Sequence, residues 1–267
     1  MTDKLLVILL FTLLINAIET LSYAARLAGT RTARLASAFS LFNIIVIFSR
    51  TANMVQMVLI ASLIDRAMET GLVDRVKDQF RWIIGAASIG TVLGALLVPT
   101  FVAIFARAIQ RLEASGSVPY LLKEALQAKH LGAVKHYFRH PSLKLIHSFR
   151  IGGVPKRLLL LNTCITAIYT VGVLSALYAG LLNPDRATTA TLSSGMINGI
   201  ATILLALTID PKVALLTDQV LSGKKRASQM NHMVLMLILS RFLGTVVAQI
   251  LFIPAAIWVK WLSSNVM

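Results

Sequence analysis

Six apolar runs, each long enough to cross a bilayer as a helix, leave this chain few ways to fold. They cover about Lys4–Tyr23, Ala36–Ile64, Trp82–Ala106, Leu158–Leu182, Thr191–Leu216 and Asn231–Trp258. A helix of about 20 apolar residues spans a ~30 Å hydrocarbon core and satisfies its own backbone N–H and C=O groups there. A mean hydropathy of +0.77, with 57% hydrophobic and 14% charged residues, lies outside the range of ordinary soluble domains. The expected fold is all-α: a polytopic membrane protein of about six transmembrane helices. Residues 1–106 hold spans 1–3, residues 107–157 a basic segment and residues 158–267 spans 4–6, in one membrane domain overall. The leading MTDKLLVILLFTLLI has a signal-peptide look, but its charges are only Asp3 and Lys4 and a polar helical stripe follows, so it reads as a retained span.

Charge sets the orientation, because basic residues close to spans mark the cytoplasmic side. The net charge is +15. RLAGTRTAR after span 1, SGKKR after span 5 and the 107–157 segment are basic, the last with ten Lys and Arg against Glu113 and Glu124. DRAMETGLVDRVKDQFR and NPDRATT are nearly neutral and read as external. Both termini are then outside a multi-pass plasma-membrane protein. Within the central segment, Pro119–Leu131 and Ser142–Phe149 read as amphipathic helices on the membrane surface, drawn to anionic lipids by about 1 kcal/mol per Lys or Arg. Three spans per half place the halves in opposite orientation, which is compatible with an inverted repeat. No convincing sequence repeat is evident.

The polar residues inside the spans are where function is to be sought. Span 2 contains SLFNIIVIFSRTANMVQM, with Arg50 about 21 Å from the Ala36 end by helical rise, too deep to snorkel to the surface. A central Arg costs roughly 2.5–3.5 kcal/mol on insertion scales, so it faces protein or trapped water. Asn43, Arg50 and Asn53 share a face by spacing. Span 1 carries Thr12, Asn16, Glu19, Tyr23 and Arg26 along one stripe, ending where Gly29 is expected to break the helix. Span 5 holds Asp210 and Lys212 around Pro211, where an ion pair between the two is expected, and span 6 holds Arg241 near the midplane. Three intramembrane cations (Arg50, Lys212, Arg241) thus face the counter-acids Glu19, Asp210 and Asp218, which suggests an anionic ligand; arginine grips phosphate in a bidentate way. A role confined to internal salt bridges is the structural alternative. Ala86, Gly90 and Gly94 in span 3, and Gly244 and Ala248 in span 6, are small-residue faces for close helix packing.

Other chemistries find little support. GxxxxGK[ST], HExxH and GxSxG are absent, so no catalytic residue is assigned. The single Cys164 permits no intrachain disulfide. His130, His136, His140 and His147 lack metal-ligand spacing, since Pro141 interrupts the one i, i+4 pair. Nucleic-acid binding has no module to carry it, and no metal or cofactor is expected.

INAIETLSYAARLAGTRTAR followed by LFNIIVIFSRTANM resembles the signature of the Amj family of bacterial lipid II flippases, the alternate to MurJ. The resemblance extends over the whole chain. It implies a flippase that moves undecaprenyl-pyrophosphate-linked peptidoglycan precursor, lipid II, from the cytoplasmic to the outer leaflet of the bacterial cell membrane, and that is not an enzyme. It carries no residue-level assignment. From charge and depth, the expected substrate site is Arg50, Arg241, Lys212, Asn43, Asn53, Glu19 and Asp210, with Arg26, Arg31 and Arg34 recruiting the headgroup at the cytoplasmic entrance. Lipid II and anionic membrane lipids are the expected partners; homo-oligomerisation is left open. The alternatives are an ion-coupled transporter of another anionic solute and a non-transporting membrane scaffold.

Overall fold

The computed structural model describes residues 2–115 and 154–265, which form long helices joined by short turns. They are α1 (Thr2–Thr32), α2 (Leu35–Thr70), α3 (Asp74–Ser115), α4 (Lys156–Leu182), α5 (Ala187–Leu204), α6 (Asp210–Leu221) and α7 (Ala227–Asn265). A five-residue π-turn, Leu205–Ile209, joins α5 to α6, so that the stretch Pro184–Leu221 is one span. Six helical stretches are thus long and apolar enough to cross a membrane. The chain is an all-α multi-pass membrane protein. The two surface helices read at Pro119–Leu131 and Ser142–Phe149, and the histidines between and within them, lie outside the described residues.

Several helices run further than hydropathy alone suggested. The mixed-charge stretch after span 2 is a three-residue turn between helical overhangs, with Gly71 in the left-handed conformation that closes α2. Gly29 does not break α1. It sits inside the helix because a Cβ there would lie 2.5 Å from the Ala38 Cβ, so this glycine lets α1 and α2 cross closely just before the turn at Ala33–Arg34.

Within each half one helix is central. α1 packs chiefly on α3 and next on α2; α4 packs chiefly on α7 and next on α5. The small-residue faces explain both main contacts. A Cβ at Gly90 would overlap the Leu13 carbonyl, and one at Gly94 would come within 2.7 Å of the Ala17 carbonyl oxygen. At Gly244 the same addition meets Thr166 at 2.6 Å and the Thr163 carbonyl at 2.7 Å. Lipid gives apolar helices no hydrophobic reason to associate, so such close approach and interhelical hydrogen bonds hold the bundle. Asn162 Nδ2 donates to the Leu237 carbonyl at 3.0 Å and to Ser240 Oγ at 2.8 Å, and Ser88 Oγ donates to Thr245 Oγ1 at 3.0 Å.

The halves meet mainly along α3 and α7, and each end of the bundle has its own apolar core. At the end opposite the basic turns, Ile8, Ile60, Leu63, Phe80, Ile84, Leu174 and Phe252 pack together. Phe80, Tyr178 and Phe252 meet there tilted or edge-on, with centroids 5.4–6.3 Å apart. At the basic end the core is Leu21, Leu27, Val102, Leu158, Val213, Met230 and Leu237. The α2 helix enters only the first of these. Its basic-end half touches α1 and α3 through Ala38, with Ala28 and Ile109, and stands away from α6.

Candidate functional site

The polar stripe of α1 lines the space between the halves. From Thr12 to Arg26 it rises about 21 Å, and its side chains bond to three other helices. Gln56 of α2 hydrogen-bonds Thr12 Oγ1. Arg241 of α7 forms an ion pair with Glu19 and reaches Asn16 Oδ1 at 3.5 Å. Ser49 of α2 donates to Glu19 Oε1 at 2.9 Å. Nearest the basic end, Arg26 Nη2 donates to Asp210 Oδ1 of α6 at 2.6 Å, and its guanidinium lies 4.1 Å from the Phe42 ring centroid, where the π face favours a cation.

These residues surround an open cavity of about 760 Å³ lined by Glu19, Arg26, Arg50, Asn53, Asp210 and Arg241 together with Tyr23, Asn162, Thr166 and Tyr169. A second space of about 640 Å³ shares Glu19, Asn53, Thr166, Tyr169 and Arg241 with it and continues toward Thr12 and Gln56. Tyr169 Oη and Thr202 Oγ1 are 2.5 Å apart on its α4–α5 wall.

Of the residues expected at a substrate site, Arg50, Arg241, Asn53, Glu19 and Asp210 come together here; Asn43 and Lys212 do not line the cavity. Both departures are geometric. Asn43 and Arg50 lie on the same flank of α2, off the buried line through Ser49 and Gln56, and only the long arginine reaches round from that flank. Lys212 is two residues from Asp210, about 200° around the helix, so the two point apart and Asp210 pairs with Arg26 instead of Lys212. Arg26 therefore belongs to the cavity wall and not to the surface turn, where Arg31 and Arg34 remain exposed. The stripe ends at Arg26 as its spacing predicts, but α1 continues past Gly29 to Thr32, which keeps Arg26 within the helix.

Sequence reasoning passed over Ser49, Phe42, Tyr169 and the π-turn. Ser49 and Gln56 are seven residues apart on the buried face of α2, a spacing that could have found Ser49. The π-turn follows from Pro211, which has no N–H; Asp210 N–H bonds back to the Leu205 carbonyl five residues earlier, and Leu205 and Ile209 form cavity wall.

Charge decides what the cavity can do. It holds three guanidiniums against two carboxylates. Glu19 and Asp210 are each committed to one arginine, whereas Arg50 is exposed and makes no hydrogen bond or ion pair among the described residues. The Nε of Arg241 is likewise buried without a hydrogen-bond partner among them. The arrangement suits an anion with several acceptor oxygens, which Arg50 can grip in a bidentate way.

A family model described as Amj, alternate to MurJ, matches residues 11–263. The chain belongs to the Amj family. A relative from Bacillus subtilis (strain 168), named lipid II flippase Amj, is 46% identical over 263 residues, which is 98% of this chain and 97% of the relative. No solved structure matches the chain. The two stretches that carry the Amj resemblance, residues 15–34 and 41–54, supply Glu19, Arg26, Arg50 and Asn53 of the cavity.

Proposed function

We propose that this chain is a lipid II flippase, moving the undecaprenyl-pyrophosphate-linked precursor from the cytoplasmic to the outer leaflet of the bacterial cell membrane. Full-length similarity to the Bacillus subtilis flippase supports the substrate. The observation that carries the reading is Arg50: a guanidinium at membrane depth, facing a polar cavity in which the other two are already neutralised. A charge at membrane depth is costly without a partner, and a pyrophosphate supplies one. The pyrophosphate binds Arg50 and the free Nε of Arg241, with Asn53 alongside. Glu19 and Asp210 neutralise Arg241 and Arg26 when the cavity is empty, so that only one net positive charge has to be matched.

The basic turns support a cytoplasmic α1–α2 end, with both termini outside. Exposed Arg31 and Arg34 attract anionic headgroups to that end. An inside-negative potential favours outward movement of the anion by about 2.3 kcal/mol per charge per 100 mV. The test is leaflet-specific labelling of lipid II in cells that depend on this protein. Depletion should leave lipid II in the inner leaflet; unchanged outer-leaflet labelling would refute the assignment. Protein in vesicles that moves a water-soluble anion, and leaves polyprenyl lipid in place, would point to the anion-transporter alternative.

A further inference from the structure

We infer that the apolar groove between α2 and α6 is the binding site of an isoprenoid chain, and that the Arg26–Asp210 pair is the partition across which its phosphate head passes into the cavity. This rests on the lipid-flippase reading. The groove, open along its mouth, spans about 790 Å³ and is lined by Leu35, Ala36, Ala38, Phe39, Val213, Ala214 and Thr217, with Asp218 at its edge. It ends on Arg26 and Asp210, which also line the polar cavity. An apolar trough and a cationic chamber that share one ion pair fit an amphiphile with an anionic head. Among the described residues, the basic-end half of α2 packs through Ala38 on Ala28 of α1 and Ile109 of α3, while its other half is locked into the core with Phe80 and Phe252, and the groove opens beside the first of these. The groove thus lies at the level of the leaflet where the precursor starts. Lipid is as apolar as the groove, so the groove adds position and not affinity: it holds the head beside Arg26.

The test places p-benzoylphenylalanine at Ala214 or Phe39, and at the lipid-facing Ile250 of α7 as control, in the full chain reconstituted with radiolabelled undecaprenyl phosphate. Irradiation should label the two groove positions several-fold more than position 250, and free inorganic pyrophosphate should not suppress it by replacing the lipid. Equal labelling at all three positions overturns the groove. Groove labelling in a protein that does not flip lipid II would leave the groove standing and refute the flippase reading. Ala214→Trp, at normal abundance, should lower flipping several-fold while Ile250→Trp leaves it unchanged.

A separate set of observations assigns an internal inverted repeat. LLINAIETLSY (13–23) of α1 and LLLNTCITAIY (159–169) of α4 share Leu-Leu, Asn, Thr and Tyr in register, pairing Asn16 with Asn162, Thr20 with Thr166 and Tyr23 with Tyr169. Each motif receives a glycine at the matching place: Gly94 of α3 against Ala17 and Thr20, Gly244 of α7 against Thr163 and Thr166. Counting from that glycine pair, Phe80 matches Met230, Ile84 matches Val234, Val102 matches Phe252 and Ile109 matches Val259, and all eight are buried. Ala38 with Ile109, and Ala190 with Val259, form matching small clusters at opposite ends. In α2 and span 5, Ser49 matches Ala201, and beyond the π-turn the register slips by one so that Ile60 meets Val213 and Leu63 meets Leu216. The slip coincides with the π-turn at Leu205–Ile209. The repeat is faint in sequence because the halves keep burial pattern and helix contacts, while Glu19, Arg50 and Asp210 have diverged in one copy each.

Such a repeat specifies a second state by exchange of the halves' conformations. The groove walls Phe39 and Ala214 correspond to Thr191 and Ala61 at the opposite end, so closing the first pair opens the second. In a Cys164→Ser background, cross-linking Phe39→Cys to Ala214→Cys should stop flipping and raise labelling of Ala61→Cys by a membrane-impermeant maleimide added outside several-fold. Cross-linking without change at position 61, or no cross-link under turnover with lipid II, would overturn the exchange.

Discussion

Arg241 of α7 and Glu19 of α1 are joined across the cavity in an ion pair that ties the two halves of the protein together at mid-depth, with Ser49 of α2 hydrogen-bonded to the same carboxylate. Removing one partner leaves the other charged and enclosed, which costs on the order of 3–5 kcal/mol when burial is complete. Glu19 is 31% exposed, so the loss here falls toward the lower end. Glu19→Leu or Arg241→Leu alone should reduce protein abundance. The double variant should restore abundance and still flip poorly, because the cation for the pyrophosphate has gone. Full recovery of flipping in the double variant would make the pair purely architectural.

Asp210→Asn takes the counter-charge from Arg26 at the partition and should slow flipping with only a modest loss of abundance. The charge exchange Arg26→Asp with Asp210→Arg should recover part of the rate. Phe42→Leu removes the ring beneath the guanidinium and should cost about 0.5–1 kcal/mol, read as a small shift in thermal unfolding in detergent.

Gly94→Leu and Gly244→Leu push a side chain into the backbone of the facing helix. Overpacking of this kind costs typically ~1–3 kcal/mol, and the expected outcome is lower abundance for both. Gly195→Leu, where a Cβ meets nothing within 4 Å, should be tolerated.

Pro211→Ala returns an N–H to the chain and removes the reason for the π-turn. α5 and α6 can then join as one regular helix, which turns Asp210 by about 100° relative to α5. The variant should be at least as abundant as the parent and flip more slowly. An unchanged rate would show that the orientation of Asp210 is not critical.

The six spans were legible in the sequence because membrane helices advertise themselves by length and hydropathy, and the close α1–α3 and α4–α7 contacts were legible in Gly90, Gly94 and Gly244. The stripe on α1 was also visible as spacing. What was not legible was partner choice. Arg26 reads from spacing as the end of the stripe and from charge as part of the basic turn with Arg31 and Arg34, since a glycine three positions on suggests a helix end, whereas its absence of a Cβ serves the crossing with Ala38. Asp210 looked like a partner of Lys212 by adjacency, although neighbours two apart diverge on a helix. Tyr169 carries no charge and stands out only once the walls of the cavity are known, and Ser49 is signalled only by its seven-residue spacing from Gln56. The repeat escaped for a related reason: burial pattern, and not residue identity, is what the halves share.

The central claim is that Arg50 holds the pyrophosphate, and its most direct measurement is outer-leaflet labelling of lipid II in cells whose sole flippase carries Arg50→Ala or Arg50→Lys. A lost charge-assisted contact of about 1.5–3 kcal/mol corresponds to roughly a 10- to 100-fold reduction. Arg50→Ala at normal abundance should fall in that range, with Arg50→Lys between it and the parent, since lysine keeps the charge but not the bidentate fork. Parent-level labelling with Arg50→Ala would contradict the account.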